Sequence, residues 1–225
     1  MKKSSILILI IICLVGCKKG SNETTITGEI KGLGTDTLYL YGMDELYDRI
    51  DTIYVENDKF SYTTSVDTIT SAYLLLKNRI EYPVFLDKGN KIKIKGDTIN
   101  LNFLTISGNI YNEEFTDFQK ALEDPADPSE KAGEETVDKR ITVEKANTAE
   151  EMAEEFILQH HSSYVSLYLL DKYFVQKETP DFSKIKKLVE VMTGVLQDKP
   201  YIERLNETIT QAEKSEIGKY APFFS

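Results

Sequence analysis

The feature that most constrains this chain is a change of hydrophobic period at Gly108. Before it, apolar residues recur every second position in short runs separated by turn residues; after it they recur at three- and four-residue spacing. A period of two places alternate side chains on one face of a strand, and a period near 3.6 places them on one face of a helix. The chain is therefore expected to be α+β, with an antiparallel β sandwich or open barrel over residues 24–109 and a helical segment over 110–214.

The strand runs can be read individually. Thr25-Ile26-Thr27-Gly28-Glu29-Ile30 alternates, and Thr37 to Tyr41 follows a Gly34-Thr35-Asp36 turn. Arg49 to Val55 and Lys59 to Thr64 flank Asn57-Asp58, a pair that tolerates positive φ in a tight turn. Ser71 to Lys77 is nearly continuous in apolar residues, the pattern of a strand buried on both faces. Val84-Phe85-Leu86 is expected to turn through Lys88-Gly89-Asn90 into Lys91-Ile92-Lys93-Ile94-Lys95, with isoleucines inward and lysines outward on a solvent-facing row or protected edge. Phe103 to Ser107 closes the series.

In the second half, Glu114-Phe115, Phe118 and Leu122 begin a helix. Residues 123–147 are charged and weakly periodic, a loop or a solvated helix. Thr148-Ala149-Glu150-Glu151 has the spacing of a capping box and predicts a helix start there. Ser162-Ser163 is positioned to cap a helix from Tyr164 to Phe174, which is apolar nearly all round and so central. Phe182, Ile185, Leu188, Val189, Met192, Val195 and Leu196 form one stripe. Asp198 and Pro200 open the last helix, with Tyr201, Leu205, Ile209 and Ala212 on one face.

The N-terminus addresses the chain. Met1-Lys2-Lys3 precedes an apolar run from Ile6 to Val15 and then Gly16-Cys17. The run is about half of the roughly 20 residues a membrane-spanning helix needs, and its flanks are those of a secretory signal. Leu14-Val15-Gly16-Cys17 resembles the bacterial lipobox. That resemblance implies a signal peptide over residues 1–16, lipid on the Cys17 thiol, and a short lipidated tether over 17–23. It also implies anchoring in the cell envelope. Lys18 and Lys19 stand where an inner-membrane retention aspartate would, so the outer membrane is the expected site, on its periplasmic or surface face.

Charge and cysteine content then exclude several classes. The chain has 27 Lys and Arg against 37 Asp and Glu, a net charge of −10. Nucleic acid binding requires clustered basic residues and is not expected; the lipid, rather than basic charge, has to hold the membrane. There are two cysteines. Cys13 leaves with the signal and Cys17 takes lipid, so thiol chemistry and disulfides are not expected.

No constellation specifies catalysis, a metal or a cofactor. His160-His161 are adjacent and lack Cys partners or an H-E-x-x-H spacing, so they read as a polar helix junction rather than zinc ligands. The acidic stretch Glu123 to Asp138 lacks calcium-loop spacing. Pairs such as Glu113-Glu114 and Glu154-Glu155 are commonplace in so acidic a chain. Gly28 and Gly32-Leu33-Gly34 lie at strand ends without the helix that a phosphate loop opens. Tyr39, Tyr41, Tyr47, Tyr54 and Tyr62 read as strand packing, with a ligand-stacking surface as the alternative.

Five segments together resemble a known architecture: Thr25–Gly32, Asn57–Tyr62, Val84–Ile92, Ile106–Asn109 and Phe156–Leu170. They are similar to the uncharacterised N-terminal β domain, with its following helical segment, of Gram-negative lipoproteins of the thiol-disulfide oxidoreductase type. In that family a thioredoxin-like domain comes next, and Ile217-Gly218-Lys219-Tyr220-Ala221-Pro222-Phe223-Phe224-Ser225 resembles its opening, over residues 215–225. The family's C-x-x-C would lie beyond Ser225, so no catalytic residue carries over. The resemblance implies a non-catalytic, lipid-anchored module, either a fragment of a longer oxidoreductase or a stand-alone unit. It would partner a thioredoxin-like domain or another envelope protein. A periplasmic or surface module for a peptide or glycan is the alternative.

Overall fold

A computed structural model describes residues 22–43, 45–76, 79–123 and 138–215. The chain is α+β, as the change of period predicts, and its strands form two four-stranded sheets rather than a closed barrel. The strands are β1 (Glu23–Lys31), β2 (Asp36–Gly42), β3 (Ile50–Val55), β4 (Lys59–Ser65), β5 (Thr70–Leu75), β6 (Glu81–Leu86), β7 (Lys91–Asp97) and β8 (Thr105–Ser107). One sheet runs β4-β1-β7-β8 and the other β3-β2-β5-β6. Alternation supplies the core between them: Ile26, Ile30, Ile92 and Ile94 from the first sheet meet Leu38, Leu40, Ile53, Leu74 and Val84 from the second.

Two expectations about pairing are corrected. β1 pairs antiparallel with β4 but parallel with β7, Thr25 lying opposite Lys91. β7 is therefore an internal strand, not an edge. Its lysines 91, 93 and 95 do face solvent while Ile92 and Ile94 are buried. The turns at Asn57-Asp58 and Lys88-Gly89-Asn90 fall where expected, Glu56 and Lys59 exchanging two backbone hydrogen bonds across the first. Asn57 and Asp58 do take positive φ, 51° and 69°, yet β3 and β4 share only the single bridge Glu56–Lys59 and then enter different sheets. Both turns are corners of the sandwich.

A sandwich has edges, and backbone groups there need partners. The β6 and β8 edges are closed by helix α1 (Ile110–Glu123). Asn112 accepts from the Phe85 N–H at 3.0 Å and donates to the Phe85 carbonyl at 2.9 Å. One turn later, the Thr116 hydroxyl accepts from the Ile106 N–H at 3.0 Å and donates to its carbonyl at 2.9 Å. The Tyr82 hydroxyl does the same for Leu104, at 2.9 and 2.7 Å. Three side chains thus stand in for a missing strand.

The remaining helices are α2 (Asp138–Gln159), α3 (Tyr164–Leu170), α4 (Phe182–Val191) and α5 (Pro200–Ser215). Helix α3 is buried at every residue and capped by Ser163, whose hydroxyl accepts from the Val165 N–H, as its all-apolar sequence predicts. It packs on α1 through Phe115–Tyr168 (5.1 Å) and Tyr111–Tyr164 (5.2 Å), both edge-on. Instead of continuing as α-helix to Phe174, the chain makes one π-helical turn over Asp171–Val175.

Two helix expectations fail. Thr148 does not open a helix, because α2 begins at Asp138 and runs through it; Glu150 instead holds Lys177 and Lys184. The Phe182–Leu196 stripe is broken after Val191, where Gly194 takes φ +64° and Val195 turns outward.

Candidate functional site

Cys17, the expected lipidation site, lies outside the described residues, as do 124–137 of the acidic stretch and the Ile217–Ser225 segment. The structure places the other candidates in structural ties. His160 stacks on Phe156 at 4.2 Å and sits 3.8 Å from Glu114, while His161 meets the Thr193 hydroxyl at 2.8 Å. They are a junction between α2, α1 and the turn before α5. Glu114 accepts from the Ser163 hydroxyl at 2.5 Å, and Glu154 pairs with Lys184 at 2.8 Å. Among the described residues no group of His, Cys, Asp and Glu converges as metal ligands.

The glycines have steric reasons. Gly28 faces the core opposite Phe60, and a Cβ there would sit 2.1 Å from the Phe60 ring. Gly32 and Gly34 take positive φ in the β1–β2 turn, where the Gly34 N–H donates to Asp58 at 2.6 Å.

The tyrosines divide. Tyr47 is buried, its hydroxyl donating to Asp51 and lying 3.2 Å from the Thr64 hydroxyl. Arg49 lies over the Tyr47 ring at 4.6 Å and donates to Asp51 at 3.0 Å. Burial alone would raise the Asp51 carboxyl, but hydrogen bonds from Tyr47, Tyr62 and Arg49 hold it below the usual carboxylate range. This cluster ties the start of β3 to the end of β4. Tyr41 and Tyr73 pack together at 5.7 Å, and Tyr73 continues to Tyr168 at 6.2 Å under the helices. Tyr39 and Tyr54 instead face solvent on the outer side of β2 and β3, with Ile50 on the same face at the other end of β3 from Tyr54.

Sequence reading passed over one group, Asp171. It lies in the π-helical turn, buried, with Oδ1 accepting from the Tyr201 hydroxyl at 2.5 Å and Oδ2 from the Gln176 amide at 2.6 Å. Burial raises its pKa despite those donors, and burial with the Asp171 charge raises that of Tyr201. Neighbouring Lys172 lies 5.6 Å from the Tyr168 ring centroid and 5.7 Å from that of Tyr173. Both carboxylate oxygens already accept a hydrogen bond, so this group ties α5 to the π turn. The only signal in the sequence was a lone acid at the end of an apolar run.

The open surfaces of the described residues include two on the sandwich. One is the Tyr39, Ile50 and Tyr54 strip. The other is a cleft of about 510 Å³ at the far end of the first sheet, rimmed by Glu29, Lys31, Lys95 and Asp97 with Phe103 in its wall. The cleft mixes both charge signs, so no single ligand charge is selected. Among the described residues, no helix is long and apolar enough to cross a membrane.

Residues 24–115 match the family described as Domain of unknown function (DUF4369). An uncharacterised N-terminal domain therefore occupies this part of the chain, taking in all but the first residue of the eight strands and the start of α1 as far as Phe115. The chain matches no curated protein and no solved structure.

Proposed function

We propose that the chain is a lipid-anchored, non-catalytic module of the cell envelope that positions a thioredoxin-like or other envelope domain. The observation that carries this is the Ile6–Val15 apolar run ending in Gly16-Cys17, placed just ahead of the matched domain. Two aspects of the fold support it. The first strand is clamped between β4 and β7 in the first sheet, a firm root for a tether. A single buried cluster then runs from Ile26 through Phe115 and Leu169 to Ile209, so the root and α5 share one core.

Palmitate labelling in cells tests the anchor: the wild-type protein takes the label, and an unlabelled protein ends this reading. Insulin reduction with dithiothreitol tests the non-catalytic part. Purified protein beginning at residue 17 is expected to match its heat-treated control, and activity above that control contradicts the reading.

The exposed Tyr39–Ile50–Tyr54 strip favours a second reading, a peptide- or glycan-binding module. Loss of binding to an envelope glycan or peptide on Tyr54→Ala, with unchanged unfolding, would support it over the first.

A further inference from the structure

The root of the tether fixes which end of the sandwich lies nearest the anchor. β1 starts at Glu23, opposite Ser65 of β4 and just ahead of the Thr25–Lys91 pair with β7. The Asn22 carbonyl accepts from Val66 N–H at 3.2 Å. If Cys17 carries the lipid, five residue steps separate it from Asn22, a reach of at most about 18 Å even when fully extended. The end of the sandwich that holds Asn22, Ser65 and Lys91 is then held close to the bilayer.

That end carries exposed aliphatic side chains on both sides of the root. On the β4 side, the loop before β3 is tied down by Arg49, which donates to the Ser65 carbonyl at 3.2 Å, and by Tyr47 at Thr64. Leu46 in that loop is 39% exposed, and Ile50, the first residue of β3, is 72% exposed. On the β7–β8 side, Asn109 donates to Asn90 at 2.9 Å, and the next residue, Ile110, is 62% exposed at the start of α1. The charges interspersed here have both signs: Arg49, Lys88 and Lys91 against Glu23, Glu45, Asp48, Asp67, Asp87 and Glu113. Such a surface suits a zwitterionic headgroup layer, into which aliphatic side chains insert without strong electrostatic attraction.

We propose that Leu46, Ile50 and Ile110 form a membrane-resting face that seats the sandwich end-on against the lipid surface. The proposal rests on the lipid-anchor reading above. Lipid limits the distance of the module from the bilayer, and these contacts set its orientation. The mixed-charge cleft, at the opposite end of β1 and β7, then points away from the membrane.

The test uses the lipidated protein on phosphatidylethanolamine–phosphatidylcholine vesicles containing a lipid with a nitroxide on its headgroup. Ile50→Cys and Ile110→Cys, each labelled with a small fluorophore, report on the proposed face. Tyr54→Cys and Ile99→Cys, at exposed positions of the opposite end, are the controls. Nitroxide lipid should strongly quench the first pair and spare the second. Equal quenching at all four positions, or none at any, in protein that carries palmitate overturns the seating while leaving the anchor intact. Absence of palmitate on the same protein overturns both. Unfolding midpoints unchanged by the substitutions show that the readout reports orientation rather than damage.

Discussion

Asn112 and Phe85 form a two-way bond: the Asn112 amide accepts from the Phe85 N–H and donates to its carbonyl, 3.0 and 2.9 Å. A single side chain on a helix thereby does for one residue of β6 what a neighbouring strand would do. Thr116 repeats the arrangement at Ile106 of β8.

Removing these groups strands buried backbone polar atoms. Asn112→Ala is expected to destabilise by about 2–4 kcal/mol and Thr116→Val by about 1–3 kcal/mol, because each leaves an N–H and a C=O unpaired. Thr116→Ser keeps the hydroxyl and should lose much less. Urea unfolding of the three variants measures this. A Thr116→Val protein as stable as wild type would show that water replaces the hydroxyl.

Gly28 and Phe60 conflict with any added carbon. Gly28→Ala places a Cβ inside the Phe60 ring position and is expected to cost about 1–3 kcal/mol. In a Phe60→Leu background the same alanine should cost clearly less, because the ring is gone. Strictly additive losses in the double-mutant cycle would indicate that backbone conformation, not the ring, requires glycine.

Asp171 gives a pH dependence of known sign. Its folded pKa is raised by burial. Its contribution to stability is therefore complete below the unfolded value of about 3.9 and is lost as pH rises through the folded value. Asp51, whose folded pKa is depressed, works the other way and loses its contribution as pH falls through that lower value. The urea midpoint of wild type relative to that of Asp171→Asn should therefore rise as pH is lowered from neutrality toward the unfolded value. A pH-independent difference would mean that the carboxyl titrates normally.

Cys17→Ser should abolish palmitate labelling and leave a precursor that migrates more slowly, still holding residues 1–16. Cys13→Ala should leave labelling and processing unchanged. Labelling of the Cys17→Ser protein equal to wild type is the outcome that removes the anchor.

Strand positions were legible because alternation is local: Ile92 and Ile94 read as buried from their lysine neighbours alone. Strand partners were not, since Thr25 facing Lys91 depends on which distant edge is open. The Asn57-Asp58 turn shows the difference well. Its positive φ values follow from its residue types, whereas the departure of β3 and β4 into separate sheets depends on partners distant in sequence, β1 for one and β2 for the other. Asn112 and Thr116 escaped notice because polar residues on an amphipathic helix ordinarily mark its solvent side, and here they mark a face laid against open strands. The capping-box spacing at Thr148 was real in sequence, but a helix already running from Asp138 has no termini there to cap. Of the candidate site, the histidine junction followed from missing partners, while the Asp171 tie joins residues on separate helical turns that no local pattern links.

The placement of β1 between β4 and β7 also governs the order in which the molecule can be put together. The first strand synthesised has no partner until Lys59 and then Lys91 are available, so both of its ladders close late and over long loops. β2 and β3, by contrast, pair through nearby residues. Non-local closure of this kind slows folding relative to local pairing. The nascent N-terminal strand consequently spends the longest time with bare edges, the interval in which a chaperone or a neighbouring chain has most opportunity to capture it.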